Sequence, residues 1–189
     1  MAAGILLSRI AGLVREMVFA RYFGTSVSAD AWRAASRMPN VLQNLLGEGT
    51  LSASFIPEYS KLLEEGRREE AGRLAGVVFA LLFALAGGLA LLGVALAPVL
   101  VSLFTPGFDG LQRELTIGLV RILFPMTGVL VLSAWSLGIL NSHRSFFVPY
   151  VAPVLWNAAM IAALLVFGPG RAQPDLVILL GWSALAGGV

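Results

Sequence analysis

Apolar residues fill six long segments of the chain, and short stretches rich in glycine, proline or charge separate them. One uncharged run, residues 76–103, is 28 residues long. About 20 apolar residues in a helix already cross the hydrocarbon core of a bilayer. The pattern therefore predicts an all-α, polytopic transmembrane helix bundle. Its helices are expected at about residues 2–22, 29–59, 74–104, 115–140, 147–167 and 175–189, the last of them incomplete.

The second segment carries a polar stripe along one helical face. Spacings of three and four residues place its members on one side of an α-helix; they are Asp30, Arg33, Arg37, Asn40, Asn44 and Glu48. Its two ends, Asp30 and Glu48, are 18 residues apart, about 27 Å at about 1.5 Å per residue, close to the roughly 30 Å thickness of the hydrocarbon core. Because charged side chains are costly in lipid, we expect the polar stripe to line a protein-enclosed or water-filled path for a polar substrate.

The overall composition agrees with a membrane protein. The chain is 58% hydrophobic, has a mean hydropathy of +0.84, and is only 13% charged, whereas soluble domains average about 25% charged residues. Residues 1–73 contain nine of the 13 Lys and Arg and eight of the 11 Asp and Glu. The rest of the chain is therefore almost entirely suited to a bilayer.

Several functional classes lose support from the composition. The net charge is +2, but the basic residues lie within apolar segments or in short loops beside them, so nucleic acid is not an expected partner. There is no cysteine and a single histidine, His143, so neither a metal nor another cofactor is expected. Ser52 and Ser54 have no histidine near them in the sequence. A transporter is therefore favoured over an intramembrane enzyme.

The first segment adds two arginines, Arg9 and Arg15, to apolar sequence of membrane-spanning length. Interhelical ion pairs with Glu16, Asp30 or Glu48 would explain either arginine structurally. The first 49 residues nevertheless contain five arginines and three acidic residues, which leaves an excess of positive charge. An anionic ligand is the natural complement, and the planar guanidinium group suits phosphate.

Basic residues in the short loops predict the orientation of the chain, because Lys and Arg favour the cytoplasmic side. The loops after the second and fourth segments contain five Lys and Arg, and the loops after the third and fifth contain two. We therefore expect the connector at residues 61–73 and the N-terminus to be cytoplasmic. The turn at residues 105–110 is expected on the opposite face.

Ordered motifs along the chain resemble one transporter family. Residues 8–24, SRIAGLVREMVFARYFG, and residues 29–59, ADAWRAASRMPNVLQNLLGEGTLSASFIPEY, are similar to the first two helices of the MurJ (MviN) lipid II flippases. Residues 121–125, 138–141 and 149–157 are similar to later motifs of the same family. The resemblance covers essentially the whole chain.

The resemblance implies membership of the multidrug/oligosaccharidyl-lipid/polysaccharide exporter superfamily, whose members pair two six-helix lobes. The chain would be the N-terminal lobe, with its sixth helix truncated and the C-terminal lobe absent. The implied activity is alternating-access transport of lipid II, the undecaprenyl-diphosphate-linked peptidoglycan precursor, from the inner to the outer leaflet of the bacterial inner membrane. Membrane lipids and the cell-wall synthesis machinery would be further partners. An exporter of another polyprenyl-diphosphate-linked oligosaccharide stays open, because only motif details separate the two.

The resemblance also implies substrate-binding roles for the charged and polar positions of the family's cavity, which here are Arg9, Arg15, Asp30, Asn40 and Glu48. Arg37 corresponds to a basic position of the family's second helix. A structural scaffold would not need such a row of intramembrane charges.

One feature departs from the family pattern. The family usually has a basic pair where this chain has Gln43 and Asn44. Arg33 stands where the family is commonly aromatic or apolar, and we expect it to supply a replacement charge and to join the substrate-binding set. Alternatively, Arg9 and Arg15 hold the pyrophosphate together with an arginine of the other lobe.

Overall fold

The computed structural model describes residues 2–43, 54–142 and 147–188. These residues form eight helices and no strand, which confirms the all-α prediction. The helices are α1 (Ala2–Phe23), α2 (Val27–Gln43), α3 (Ile56–Glu64), α4 (Arg68–Ala95), α5 (Ala97–Phe104), α6 (Gly110–Ser142), α7 (Phe147–Phe167) and α8 (Gln173–Gly187).

The start of α2 is set by a short polar turn after α1. The Oγ of Ser26 accepts a hydrogen bond from the N–H of Ala29 at 3.3 Å, which satisfies one of the free N–H groups of a helix N-terminus. Gly24 adopts a φ of +53°, a conformation that glycine reaches at little cost. The chain thus reverses within three residues, between Phe23 and Val27.

The third predicted segment, residues 74–104, is divided between two helices. Leu96 separates α4 from α5, with φ −90° and ψ 6°. Pro98 has no N–H to donate to the carbonyl of Val94, so a continuous helix would lose that hydrogen bond. The second predicted segment covers α2 and the start of α3, and residues 44–53 between them lie outside the described residues.

The charged connector predicted at residues 61–73 is mostly helical. α3 ends at Glu64 and α4 begins at Arg68, so only a short turn separates them. In this turn the guanidinium of Arg67 donates to Glu70 at 2.6 and 2.8 Å and to Glu65 at 2.9 Å. The hydrogen bonds to Glu70 and Glu65 raise the pKa of Arg67 above its ordinary value.

Successive connections alternate between the two ends of the bundle. The side-chain amide of Gln173 donates to the Tyr22 carbonyl at 2.8 Å, so the end of α1 meets the start of α8. Asp30 at the start of α2 and Thr105 after α5 line one cavity. The connections after α1, α5 and α7 therefore share one end. Because α4 packs antiparallel to α6, the Arg67 turn lies at the opposite end.

The centre of the described bundle is α6, which packs on α2, α4 and α8. Its residues Leu119, Val120 and Leu123 are fully buried or nearly so. α4 instead exposes large apolar side chains on its outer side, among them Val77, Leu81, Phe83 and Leu91. Within the described residues, α4 and residues 110–140 of α6 are each long and apolar enough to cross a membrane.

Small residues let α4 and α6 approach each other closely. The ring of Phe124 lies directly against Gly93, where a Cβ atom would overlap it. One turn further along α6 and two turns back along α4, a Cβ built on Gly128 would lie 3.6 Å from the Ala86 carbonyl oxygen. We call this contact, formed by Ala86, Gly93, Phe124 and Gly128, the α4–α6 seam. Close backbone approach at small residues is typical of helix pairs in membranes.

Candidate functional site

Helices α1 and α2 are neighbours in sequence but pack on different partners. α1 packs chiefly on α7, and α2 packs chiefly on α6. A cavity of about 340 Å³ remains between them, and we call it the α1–α2 groove. Its walls and floor are formed by Arg15, Glu16 and Phe19 of α1, by Trp32, Arg33, Ser36, Arg37, Pro39 and Asn40 of α2, and by Leu123, Met126, Trp156 and Ala184.

Arg15 is held in the groove by contacts on two sides. Its guanidinium lies 5.3 Å from the centre of the Trp156 ring, in cation–π geometry. It also forms an ion pair of 2.6 Å with Glu16. The indole N–H of Trp156 donates to the Ala184 carbonyl at 2.9 Å, which fixes the ring beneath the guanidinium. Only 23% of the Arg15 side chain is exposed, so its position is set by the surrounding protein.

The sequence left open whether Arg15 forms an interhelical ion pair. Its partner Glu16 is the next residue of the same helix, so this ion pair is not interhelical. The Glu16 side chain is 58% exposed, and solvent screens a carboxylate at such a position. The pair therefore orients Arg15 without joining α1 to α2.

The polar stripe of α2 faces away from the bundle centre as far as the structure describes it. The opposite face, with Ala31, Ala35 and Met38, is buried in the core. The side chains on the polar face are exposed, and those that line the groove are Arg33, Arg37 and Asn40. The segregation of polar and apolar positions along α2 thus places three of the predicted site residues beside Arg15.

The other predicted residues have different outcomes. Arg9 is exposed on α1 and lines neither the α1–α2 groove nor the second cavity described below. Asp30 lies on α2 but outside the groove lining. Glu48 and Asn44 lie outside the described residues. Their roles in binding stay predictions.

A second cavity, of about 480 Å³, lies on the other side of the α2 arginines. We call it the loop pocket, because the connection between α5 and α6 forms one of its walls. Its lining residues are Asp30, Arg33, Ala34, Arg37 and Met38 of α2, with Phe104, Thr105 and Phe108. Arg33 and Arg37 line both cavities and form the wall between them.

The charges around this shared wall are not neutralised within the described part of the chain. There, neither Arg33 nor Arg37 forms an ion pair, and Asp30 does not pair with Arg33 despite the favourable three-residue spacing. The hydroxyl of Ser36 is occupied, since it donates to the Trp32 carbonyl at 2.8 Å. The guanidinium groups of the wall are therefore the main free hydrogen-bond donors of the site.

Sequence reasoning missed the aromatic part of the site. Phe19 and Trp32 contact each other across the groove with ring centres 6.2 Å apart. The Trp156 ring lies against the guanidinium of Arg15, and Phe104 and Phe108 line the loop pocket. These rings belong to four different segments of the chain. No local sequence pattern predicts that these rings come together, because apolar residues at such spacings are ordinary in membrane helices.

The arrangement suits a large anionic organic group better than a metal ion. The described residues contain no cluster of three His, Cys, Asp or Glu side chains able to hold a metal. What they offer instead is guanidinium, an Asn amide and aromatic surface around two adjoining cavities. Guanidinium groups bind phosphate and carboxylate through paired hydrogen bonds.

Comparison with known proteins gives a consistent result. The family model described as lipid II flippase MurJ matches residues 19–189. The chain is 35% identical over 97% of its length to the lipid II flippase MurJ of Burkholderia cenocepacia, and 36% identical over its whole length to the probable lipid II flippase MurJ of Bdellovibrio bacteriovorus. It spans 36% of the length of each of these relatives.

The structural comparison agrees with the sequence comparison. A solved structure titled lipid II flippase MurJ, inward closed conformation, superposes with a TM-score of 0.76 at 29% identity, over 98% of this chain and 40% of the solved one. Fold, motifs and family match thus agree along nearly the whole chain. The chain belongs to the MurJ family of lipid II flippases.

Proposed function

We propose that the protein moves lipid II, the undecaprenyl-diphosphate-linked peptidoglycan precursor, from the inner to the outer leaflet by alternating access. The observation that carries the proposal is the α1–α2 groove, where Arg15 is held in place on one side and Arg33, Arg37 and Asn40 lie on the other. Family membership supports the same substrate. The proposal concerns the whole transporter, since this chain covers 36% of its relatives' length.

In this proposal Arg15 binds the diphosphate. Its guanidinium is already oriented by Trp156 and Glu16, so little side-chain entropy is lost when the ligand arrives. Arg37 supplies a second cation from the facing helix, and Asn40 supplies an amide for the sugar hydroxyls. Charge-assisted hydrogen bonds of this kind are roughly twice as strong as neutral ones.

Arg33 is proposed to replace part of the basic pair that the family has at Gln43 and Asn44. Because Arg33 does not pair with Asp30 in the described structure, its charge is available to a ligand. Arg33 is ten residues before Gln43, about 15 Å along a helix. It therefore reaches a different part of the head group than the missing pair would.

Arg9, Asp30 and Glu48 stay in the proposed substrate path on the strength of the family resemblance. The path is expected to continue along α1 past Arg9 and along α2 towards Glu48, which is outside the described residues. The cell-wall synthesis machinery, which consumes the precursor, is the expected partner on the far side of the membrane.

A reconstituted transport assay tests the proposal. The complete protein in lipid vesicles should move labelled lipid II between leaflets, and Arg15→Ala should not. Movement of a different polyprenyl-diphosphate oligosaccharide in preference to lipid II would favour the alternative exporter. Absence of movement of either lipid by the wild-type protein would contradict the proposal.

The proposed location is the bacterial inner membrane, with the N-terminus and the Arg67 turn in the cytoplasm. The supporting observations are the basic residues of the connector and its place at the end opposite the α5–α6 connection. The chain has no native cysteine, so single cysteines can be placed at the exposed Glu69 and Gly107. In intact cells a membrane-impermeant maleimide should label Gly107→Cys and spare Glu69→Cys. The reverse labelling would invert the orientation.

A further inference from the structure

The loop pocket has a charge pattern that differs from that of the α1–α2 groove. Two arginines and one aspartate line it, and within the described residues Asp30 and Arg33 do not neutralise each other. Asp30 lines only this pocket, whereas Arg33 and Arg37 line both cavities. A ligand extended across the shared wall would therefore meet positive charge first and mixed charge beyond it.

The mixed charge of the loop pocket disfavours a diphosphate as its ligand. A diphosphate in the loop pocket would meet the like charge of Asp30, which disfavours it. A ligand that carries both a carboxylate and an ammonium group would satisfy all three side chains at once. Guanidinium groups pair with carboxylates, and the Asp30 carboxylate accepts hydrogen bonds from an ammonium.

The rest of the pocket suits the apolar parts of such a ligand. Phe104 and Phe108 contribute aromatic surface. Their connection is held in shape by local hydrogen bonds, since the Thr105 hydroxyl donates to the Val101 carbonyl at 2.6 Å and the Phe108 N–H donates to the Thr105 carbonyl at 3.0 Å. The volume, about 480 Å³, lies within the range of roughly 300–1,000 Å³ typical of organic-ligand sites.

We propose that the loop pocket binds the peptide portion of the lipid-linked precursor, with Arg33 on a peptide carboxylate and Asp30 on a peptide ammonium group. Arg37, which lines both cavities, lies between this carboxylate and the diphosphate and contacts both. This assignment rests on the proposed function, which places the diphosphate at Arg15. Asp30 is seven residues before Arg37, about 10 Å along α2. The peptide then extends from the diphosphate towards the end of the bundle where α5 meets α6.

Binding of matched ligands to the complete protein tests the assignment. The probes are lipid II with its peptide, the same lipid with the peptide amine acetylated, and the diphosphate-linked disaccharide lipid without peptide. Arg33→Gln should weaken binding of intact lipid II by about tenfold, the loss of one charge-assisted hydrogen bond. It should leave the affinity for the peptide-free lipid unchanged within about twofold.

The amine gives a second, independent comparison. Asp30→Asn should weaken binding of intact lipid II and should leave binding of the acetylated form unchanged. Arg33→Lys, which keeps the charge, should retain most of the affinity that Arg33→Gln loses. Arg21→Gln removes an exposed arginine that lines neither cavity and should change none of these affinities. Melting temperatures measured on the same samples identify any variant that is merely unfolded.

The contrary outcomes are distinct. Equal weakening of the peptide-bearing and peptide-free lipids by Arg33→Gln would place Arg33 on the diphosphate and overturn the peptide site. Dependence of the Arg33→Gln effect on the content of anionic lipid in the vesicles would assign the pocket to a membrane phosphate and also overturn it. If the wild-type protein binds the peptide-bearing and the peptide-free lipid equally well, only the peptide assignment is wrong. If the wild-type protein binds neither of these lipids, the proposed function itself is wrong.

Discussion

The α1–α2 groove and the α4–α6 seam are both boundaries between helices, and they are built from opposite kinds of residues. At the seam, Gly93 and Gly128 let the backbones approach until a ring or a carbonyl fills the space. At the groove, Arg15 and Arg37 stand on facing helices. Charged side chains keep their hydration unless they are paired, so they hold the helices apart.

Because of this difference, we expect the seam to contribute mainly to stability and the groove to contribute mainly to ligand binding. The dispersion contacts at the seam form when the protein folds, and they stabilise the folded state without taking part in ligand binding. Within the described residues, the guanidinium groups of Arg33 and Arg37 form no ion pair and are left for a ligand, whereas Arg15 pairs with Glu16. Substitutions in the groove should therefore change transport more than stability, and substitutions in the seam should do the reverse.

The largest effect on function is expected for Arg15→Ala. In the proposed binding mode, removing the guanidinium eliminates at least one charge-assisted hydrogen bond to the diphosphate, about 1.5–3 kcal/mol, which should lower transport by tenfold or more. Growth of cells that depend on the variant provides the measurement, with the melting temperature of the purified protein beside it. Arg21→Ala, on the same helix but outside both cavities, is the matched control. Normal growth supported by Arg15→Ala would contradict the role of the groove.

The largest effect on stability is expected for Gly93→Ala. The new methyl group would overlap the buried ring of Phe124, and such overpacking costs about 1–3 kcal/mol. Gly128→Ala is the matched control, because its methyl group would lie at ordinary contact distance, 3.8 Å from Ala90 Cβ. Thermal denaturation in detergent should separate the two. Equal melting temperatures would mean that the seam is less tightly packed than described.

A smaller, several-fold effect on transport is expected for Arg33→Ala. In the proposed binding mode Arg33 contacts a peripheral part of the head group, so its loss should lower transport about three- to tenfold. The test compares Arg33→Ala, Asp30→Ala and the double substitution in the growth assay. Full growth with Arg33→Ala would show that the arginine is dispensable. A double substitution that restores growth lost in each single one would make Arg33 an ion-pair partner of Asp30.

The smallest effect is expected for Trp156→Phe. Phenylalanine loses the hydrogen bond from the indole to the Ala184 carbonyl, worth about 1 kcal/mol. It keeps an aromatic face under Arg15, although a weaker one. We therefore expect a slight fall in melting temperature and a transport change below about threefold. Trp182→Phe, at an exposed position, should change neither quantity. A loss as large as that of Arg15→Ala would mean that the indole itself contacts the substrate.

The polar face of α2 is the part of the site that sequence analysis predicted well. Residues three and four apart share a face on any α-helix, so Arg33, Arg37 and Asn40 lie together wherever α2 packs. The all-α fold follows in the same local way, because long apolar segments in a bilayer must satisfy their own backbone hydrogen bonds. Helix ends were less predictable. The break at Leu96 depends on Pro98, whose effect on a long apolar run the hydrophobic pattern does not register.

Taken by itself, the sequence determined which residues form helices and which side of α2 is polar, since both depend on contacts within a few residues. Only the tertiary structure decided that Arg15 faces the groove while Arg9 does not line it. Both arginines lie on α1, and their difference comes from the packing of α1 against α7, where Trp156 receives one of them. The loop pocket likewise exists because the α5–α6 connection comes to lie beside α2. Contacts between residues far apart in the chain depend on how whole helices pack, and no local pattern encodes them.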